Sequence, residues 1–217
     1  MAESRPKVIA FDLDGTLSDP STGIHTSINY ALQQLGDPPA DTSTLNACIG
    51  IPLRDIFMQF LSKPDDHLIE QACEFYRDRY RRVGFKENLL YPHIPLLLER
   101  LNTPTTRLYV ATLKVQDIAH QVIHHFGLED YFTQLLGAGS DRSKAELLDE
   151  IKRQSPDAEL IMVGDRHQDM QAGQQTGFYC VGALWGFGSR EELLDNGADC
   201  LIETPLELLD IVGTKAP

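Results

Sequence analysis

From Pro92 onward, the chain alternates short apolar runs with segments of helical periodicity. Continuous apolar runs of this length, bounded by polar or glycine residues, are typical of strands that are buried on both faces. Strands of this kind separated by helices predict a mostly parallel sheet with helices on both faces, which is a doubly wound, Rossmann-like α/β core. The predicted strands are KVIAF near the start of the chain and then RLYVA, QLLGA, LIMVGD, FYCVGAL and CLIE.

Two serine–glutamate pairs mark the beginnings of helices in this region. Ser143 with Glu146, and Ser189 with Glu192, have the spacing of a capping box. In a capping box the serine and glutamate side chains satisfy backbone N–H groups at each other's positions. The spacing therefore predicts helices over SKAELLDEIKRQ and SREELLDN.

The pattern between Asp19 and about Glu87 is different, because helical segments follow one another without a strand. We expect a helical insert at 19–87 and a Rossmann-like core formed by 1–18 and 88–217. An insert directly after the first strand of a doubly wound sheet is expected to cap the carboxyl ends of the strands, where such folds bind ligands. The helical stripes are TGIHTSINYALQQLG, LRDIFMQFL and IEQACEFYRDRYRRVG, with a break at GDPPADTS.

Composition and charge exclude several classes of function. The 217 residues carry 19 Lys and Arg against 32 Asp and Glu, a formal net charge of −13. A surface this acidic disfavours a nucleic-acid duplex or an anionic membrane as partner. No apolar run approaches the roughly 20 residues of a membrane helix, and the start lacks a signal-peptide pattern. We expect a cytoplasmic protein that is a monomer or a homodimer.

Four aspartates are placed at predicted strand ends. Asp12 directly follows KVIAF, with Asp14 two residues later, and Asp165 and Asp169 follow LIMVG. Residues two apart in a strand project to the same side, so bare like charges there are costly unless a cation, a proton or a lysine compensates them. Carboxylates that converge at one sheet edge and offer only oxygen ligands suit magnesium better than zinc.

Two further residues favour an anion site at the same edge. Thr112 ends RLYVA just before a predicted helix, where a hydroxyl and free N–H groups bind anions. Lys144 lies in the first turn of its helix, where the helix dipole disfavours a cation, so we expect a stronger partner such as Asp12 or a bound anion. A carboxylate nucleophile, a second carboxyl, a divalent cation and two anion-binding groups together predict phosphoryl transfer.

These motifs resemble those of the haloacid dehalogenase superfamily of phosphohydrolases. FDLDGT, VAT ending at Thr112, Lys144 in RSKAEL and GDRHQD occur in the family's order, and the likeness covers nearly the whole chain. IGIPLRDIF, YPHIPLLLERL and ALWGFGSREELLDNGAD further resemble the branch of phosphoglycolate phosphatases and bacterial 5'-nucleotidases. His93 stands where that branch has glycine, and Leu113 where serine or asparagine is common.

The resemblance implies a role for each motif residue. Asp12 is the expected nucleophile and Asp14 the expected acid and base, while Thr112 and Lys144 bind the phosphoryl oxygens. Magnesium is expected to take the Asp12 carboxylate, the Asp14 backbone carbonyl and Asp165, with Asp169 in direct or water-mediated support.

We therefore predict a magnesium-dependent phosphatase that hydrolyses a small phosphate ester, such as phosphoglycolate or a nucleoside monophosphate. Arg54, in the segment that resembles a specificity loop, is a candidate substrate contact. Three alternatives remain open. The acid at Asp14 argues against a dehalogenase. Thr16 after Asp-Gly resembles phosphatases more than phosphomutases, and the complete acidic motif set argues against a binding or regulatory module that has lost catalysis.

Overall fold

The computed structural model describes residues 5–138 and 142–213. These residues divide into two compact units, one within 1–19 and 90–217 and the other 20–89. The boundaries expected from the sequence were 18/19 and 87/88. The outermost residues of the expected core, 1–4 and 214–217, lie outside the described residues.

The first unit is built on a six-stranded parallel sheet, whose strands in spatial order are β5 Gln134–Gly137, β4 Thr106–Thr112, β1 Lys7–Phe11, β6 Glu159–Gly164, β7 Tyr179–Ala183 and β8 Cys200–Ile202. Five of these strands lie within one residue of the predicted apolar runs at each end, and the sixth coincides with KVIAF. The α/β fold class is therefore confirmed. Two further short strands are β2 Ser18–Asp19 and β3 Leu89–Leu90.

Helices accompany the sheet strands of this unit. The helices are α5 Ile94–Leu101, α6 Gln116–His125, α7 Lys144–Gln154, α8 His167–Thr176, α9 Arg190–Asp195 and α10 Leu208–Gly213, with short 3-10 helices at Glu129–Tyr131 and Pro205–Glu207. On one face, Val8 and Tyr109 pack with Leu147 and Ile151 of α7 in a buried cluster. Alternate strand residues such as Ile9 point to the opposite face and are also buried. Burial of both faces explains why the strands are continuously apolar.

The second unit, 20–89, is helical. It contains α1 Ser21–Gln34, α2 Thr42–Asn46, α3 Leu53–Phe60, α4 Asp66–Arg82 and a 3-10 helix at Gly84–Lys86. Ile28, Phe57 and Ala72 from three of these helices are fully buried. The GDPPADTS segment was expected only as a break, but α2 begins in it because Asp41 accepts a hydrogen bond from Thr44 N at 3.0 Å.

The two predicted capping boxes have different outcomes. At α7, Ser143 and Glu146 form the complete reciprocal pair. At α9, Ser189 Oγ accepts a hydrogen bond from Glu192 N at 3.1 Å, but the Glu192 carboxylate contacts Arg166 and His167 instead. The second prediction is therefore correct for the serine and wrong for the glutamate.

Candidate active site

The sheet register brings Asp12, Thr112 and Asp165 to one edge. Phe11 at the end of β1 lies opposite Val110 of β4 and Val163 of β6. Because the three strands are parallel, the residues that follow them emerge on the same side. Asp12 directly follows β1, Thr112 is the last residue of β4, and Asp165 directly follows β6.

Asp12, Asp165 and Asp169 form a buried acidic group. Each offers a carboxylate oxygen, and these oxygens lie within 4.8 Å of one another. Leu13 N donates to Asp12 Oδ1 at 2.8 Å, and Arg166 N donates to Asp169 Oδ2 at 3.0 Å. Three buried oxygen donors at this separation fit a hard divalent cation such as magnesium.

Lys144 is the counter-ion of this group. Its Nζ lies 3.0 Å from Asp12 Oδ2 and also contacts Asp169, and its side chain is 3% exposed. Burial by itself lowers the pKa of a lysine, but Asp12 and Asp169 outweigh it and raise the pKa of Lys144 above its ordinary value. The lysine therefore stays charged, and the structure contains the Asp12 partner expected from its position in the first turn of α7.

Burial raises the pKa values of the two aspartates from the LIMVGD segment. The pKa of Asp165 rises to about 8, because burial is reinforced by the charges of Asp169 and Asp12. The pKa of Asp169 rises to about 6, with Lys144 opposing part of the effect of burial. In the metal-free protein the ionised form of both groups is unfavourable. A divalent ion bound between them would stabilise both as carboxylates.

Asp14 is oriented differently from Asp12. Its carboxylate contacts Lys114 Nζ, and its Oδ1 is buried without a hydrogen-bond partner among the described residues. Burial raises the pKa of Asp14, although the Lys114 charge opposes that shift. The Asp14 carboxylate lies outside the acidic group. The expected binding of magnesium by the Asp14 backbone carbonyl stays a prediction.

Thr112 and Arg54 occupy different units. Thr112 is buried, and its Oγ1 accepts a hydrogen bond from Lys114 N at 3.3 Å in the turn before α6. Arg54 is in the first turn of α3 in the helical unit, where its guanidinium pairs with Asp66 at 2.8 Å and Glu70 at 3.4 Å. A substrate contact by Arg54 stays a prediction.

Sequence reasoning missed two residues that shape the site. Lys114, the partner of Asp14, is 100 residues away from it in the chain. Thr16, which follows Asp-Gly in the first motif, donates its hydroxyl to Asp165 Oδ1 at 2.9 Å. The available signal for Lys114 was its place two residues after Thr112, at a strand end of the same sheet.

Glycines allow the close packing around Asp165. Gly15 has φ of 87°, and a Cβ there would lie 2.1 Å from Asp165 Oδ2. A Cβ on Gly186 would lie 2.3 Å from the Asp165 Cβ. Phe187 N donates to Asp165 Oδ2 at 2.9 Å, so the loop after β7 approaches the aspartate at backbone distance.

Comparison with known proteins agrees with this geometry. A family model described as haloacid dehalogenase-like hydrolase matches residues 9–183, which include all four motifs. The chain belongs to this family. This haloacid dehalogenase-like hydrolase has a TM-score of 0.87 and 31% identity to a haloacid dehalogenase-like family hydrolase from Streptococcus pneumoniae, over 95% of this chain and 98% of the other.

Relatives of this haloacid dehalogenase-like hydrolase are named for different enzymatic activities. It is 37% identical to a 5'-nucleotidase of Pseudomonas aeruginosa over 85% of this chain and 86% of the relative. It is 32% identical to the tyrosine-protein kinase PtkA of Mycobacterium tuberculosis over 91% of this chain and 68% of the relative. It is 28% identical to a phosphoglycolate phosphatase of Vibrio vulnificus over 100% of both. The predicted family and the predicted phosphatase class are confirmed.

Among the described residues, no helix has both the length and the apolar character needed to cross a membrane.

Proposed function

We propose that this chain is a magnesium-dependent phosphomonoesterase that hydrolyses a small phosphorylated metabolite through an aspartyl-phosphate. One observation carries the proposal. At the carboxyl edge of the sheet, the charged Lys144 contacts Asp12 and Asp169 of the buried acidic group formed by Asp12, Asp165 and Asp169. Such a site combines a nucleophile, a cation-binding group and a positive charge for phosphoryl oxygens.

Asp12 is prepared for nucleophilic attack by its surroundings. Leu13 N and Lys144 Nζ bind different oxygens of its carboxylate and fix its orientation. In the proposed reaction, Asp12 forms a bond to phosphorus as the bond from phosphorus to the ester oxygen breaks. Magnesium held by Asp12, Asp165 and Asp169 would neutralise charge on the phosphoryl oxygens. Lys144 and Thr112 would bind these oxygens as well.

Asp14 is proposed to move the protons. It gives a proton to the departing ester oxygen, and then takes one from the water that attacks the phosphorus of the aspartyl-phosphate. The second step releases inorganic phosphate and regenerates the Asp12 carboxylate. A carboxyl whose pKa is raised by burial is suited to hold a proton in one step and accept one in the next.

The names of two relatives support a small substrate such as phosphoglycolate or a nucleoside monophosphate. We propose that the helical unit, 20–89, serves as the cap that selects it. Closure of a cap over such a site would exclude bulk water and bring selecting side chains to the leaving group. In this proposal the partner is a small-molecule phosphate ester.

The test measures phosphate release from a panel of small phosphomonoesters, with magnesium and with a chelator. We expect magnesium-dependent release that Asp12→Asn reduces by about 1000-fold or more, since a covalent nucleophile is removed. Asp157→Asn, which changes an exposed aspartate, is the matched control and should leave the rate unchanged. Isomerised phosphate esters without release would identify a mutase instead. Folded protein that turns over no ester would contradict the proposal.

A further inference from the structure

Arg166 and His167 connect two of the candidate magnesium ligands. Asp165 directly follows β6, and Asp169 lies in the first turn of α8. The backbone between them sets the direction of both carboxylates, and Arg166 N itself donates to Asp169 Oδ2 at 3.0 Å. Whatever fixes this short segment therefore fixes the relative placement of the two ligands.

Glu192 of α9 fixes this segment through one oxygen. Its Oε1 accepts hydrogen bonds from Arg166 Nε at 2.9 Å and from His167 N at 3.0 Å, and His167 Nδ1 lies 2.9 Å away. One oxygen of Glu192 thus contacts the side chains of Arg166 and His167 and also the backbone N–H of His167. Although burial raises its pKa, these donors lower the pKa of Glu192 to about 2, so it is ionised at neutral pH.

Comparison with α7 shows that this arrangement is specific to α9. Both helices begin with serine followed three residues later by glutamate. At α7 the Glu146 carboxylate bonds back to Ser143 N at 2.7 Å and completes its own helix cap. At α9 the Glu192 carboxylate is directed to Arg166 and His167, which lie 26 and 25 positions away in the chain. Glu192 therefore contacts residues that are distant in the chain, although its spacing from Ser189 favours a capping box.

The loop before α9 approaches the same ligands. Phe187 N donates to Asp165 Oδ2 at 2.9 Å. A Cβ on Gly188 would lie 2.0 Å from the Asp165 carbonyl oxygen, so this loop packs directly on the backbone of the ligand. The segment from Phe187 to Glu192 therefore contacts Asp165 and the two residues that follow it.

We propose that Glu192 is a positioning residue for the magnesium site, which acts by holding Arg166 and His167 so that Asp165 and Asp169 converge. Glu192 binds neither substrate nor ion in this assignment. The inference rests on the proposed function, because it assigns Asp165 and Asp169 to magnesium. Groups that orient metal ligands in this way change metal affinity by about 10–100-fold when they are removed.

The experiment is a direct titration of magnesium into the metal-free protein by calorimetry, together with phosphate release as a function of magnesium concentration. Glu192→Gln keeps the size of the side chain and removes its charge. Glu191→Gln, an exposed neighbour on the same helix, is the matched control. We expect Glu192→Gln to weaken magnesium binding by about 10-fold, with kcat at saturating magnesium within about twofold of the unsubstituted protein, and Glu191→Gln to change neither.

The outcomes separate this inference from the proposed function. Equal magnesium affinity in Glu192→Gln and Glu191→Gln would overturn the positioning role. A kcat loss that saturating magnesium does not restore would also overturn it, because the effect would then lie outside ion binding. If Glu192→Gln does not fold, Arg166→Met removes one donor to the same carboxylate, and unchanged magnesium affinity there would overturn the role. Failure of the unsubstituted protein to bind magnesium or release phosphate would instead refute the proposed function.

Discussion

Replacing Lys144 by methionine removes the only positive charge that the structure places in contact with both Asp12 and Asp169 among the described residues. Methionine keeps much of the apolar side chain and leaves two buried carboxylates facing each other without a cation. Removing one partner of a buried ion pair costs about 3–5 kcal/mol. At about 2–4 °C per kcal/mol for a chain of this size, we expect Tm to fall by about 6–20 °C.

The loss should depend on pH in a defined direction. The pKa of Lys144 is raised, so its stabilising contribution is fully present below the ordinary lysine pKa. Burial raises the pKa of Asp169 to about 6 while the Lys144 charge opposes this effect, so in Lys144→Met this pKa rises further. The variant therefore keeps a proton that the unsubstituted protein releases as the pH rises through about 6. Once Asp169 is neutral, less negative charge is left uncompensated. The difference between variant and unsubstituted protein should therefore be large near about pH 8 and smaller near about pH 5.

The assay is thermal unfolding of the magnesium-free proteins at these two pH values. Lys63→Met, which changes an exposed lysine of the helical unit, is the control and should shift Tm little at either pH. Equal Tm values for Lys144→Met and the unsubstituted protein near pH 8 would refute the role of Lys144 as counter-ion. A difference of the same size at both pH values would show that the carboxylates are not its cause.

Three further measurements test other parts of the structure. His93→Gly should raise stability by about 0.5 kcal/mol, because His93 has φ of 69°, a conformation that glycine adopts without a Cβ penalty; chemical denaturation that gives a lower value would show that the imidazole compensates. Gly188→Ala should cost about 1–3 kcal/mol through its clash with Asp165, whereas Gly213→Ala, with open space around it, should be nearly neutral by the same assay. Magnesium-free protein should lose Tm as pH rises through 6 and 8, the approximate pKa values of Asp169 and Asp165, because the folded state binds protons that the unfolded chain has already released. Magnesium should make Tm depend less on pH. Equal pH dependence of Tm with magnesium and with chelator would contradict this prediction.

The conformation of His93 is relevant to one difference between this chain and the branch of the family that it resembles. His93 stands where glycine is usual after Tyr-Pro in that branch. In the structure His93 is the one non-glycine residue with positive φ among the described residues, directly before α5. The glycine of the branch and the left-handed conformation of this turn have the same physical basis, since only glycine lacks the Cβ that makes positive φ costly.

Local pattern was sufficient for the sheet and for the order of the motifs. VIAF and LIMVG are continuous apolar runs because β1 and β6 are covered on both faces, and a parallel sheet places Asp12 and Asp165 at the same edge. The capping box at Ser143 is also a local interaction, because its partners are three residues apart. These features depend on periodicity and on neighbours in the chain, so the amino-acid sequence by itself determines them.

Tertiary structure decided which charged groups meet. Lys114 reaches Asp14 across 100 residues, and the Glu192 carboxylate turns from its own helix cap to Arg166 and His167. A long charged side chain has many rotamers, and the partner it binds depends on the separation of elements that only the packed fold establishes. The sequence therefore determined the edge at which the site forms, while packing of the strands, helices and loops decided how its charges are paired.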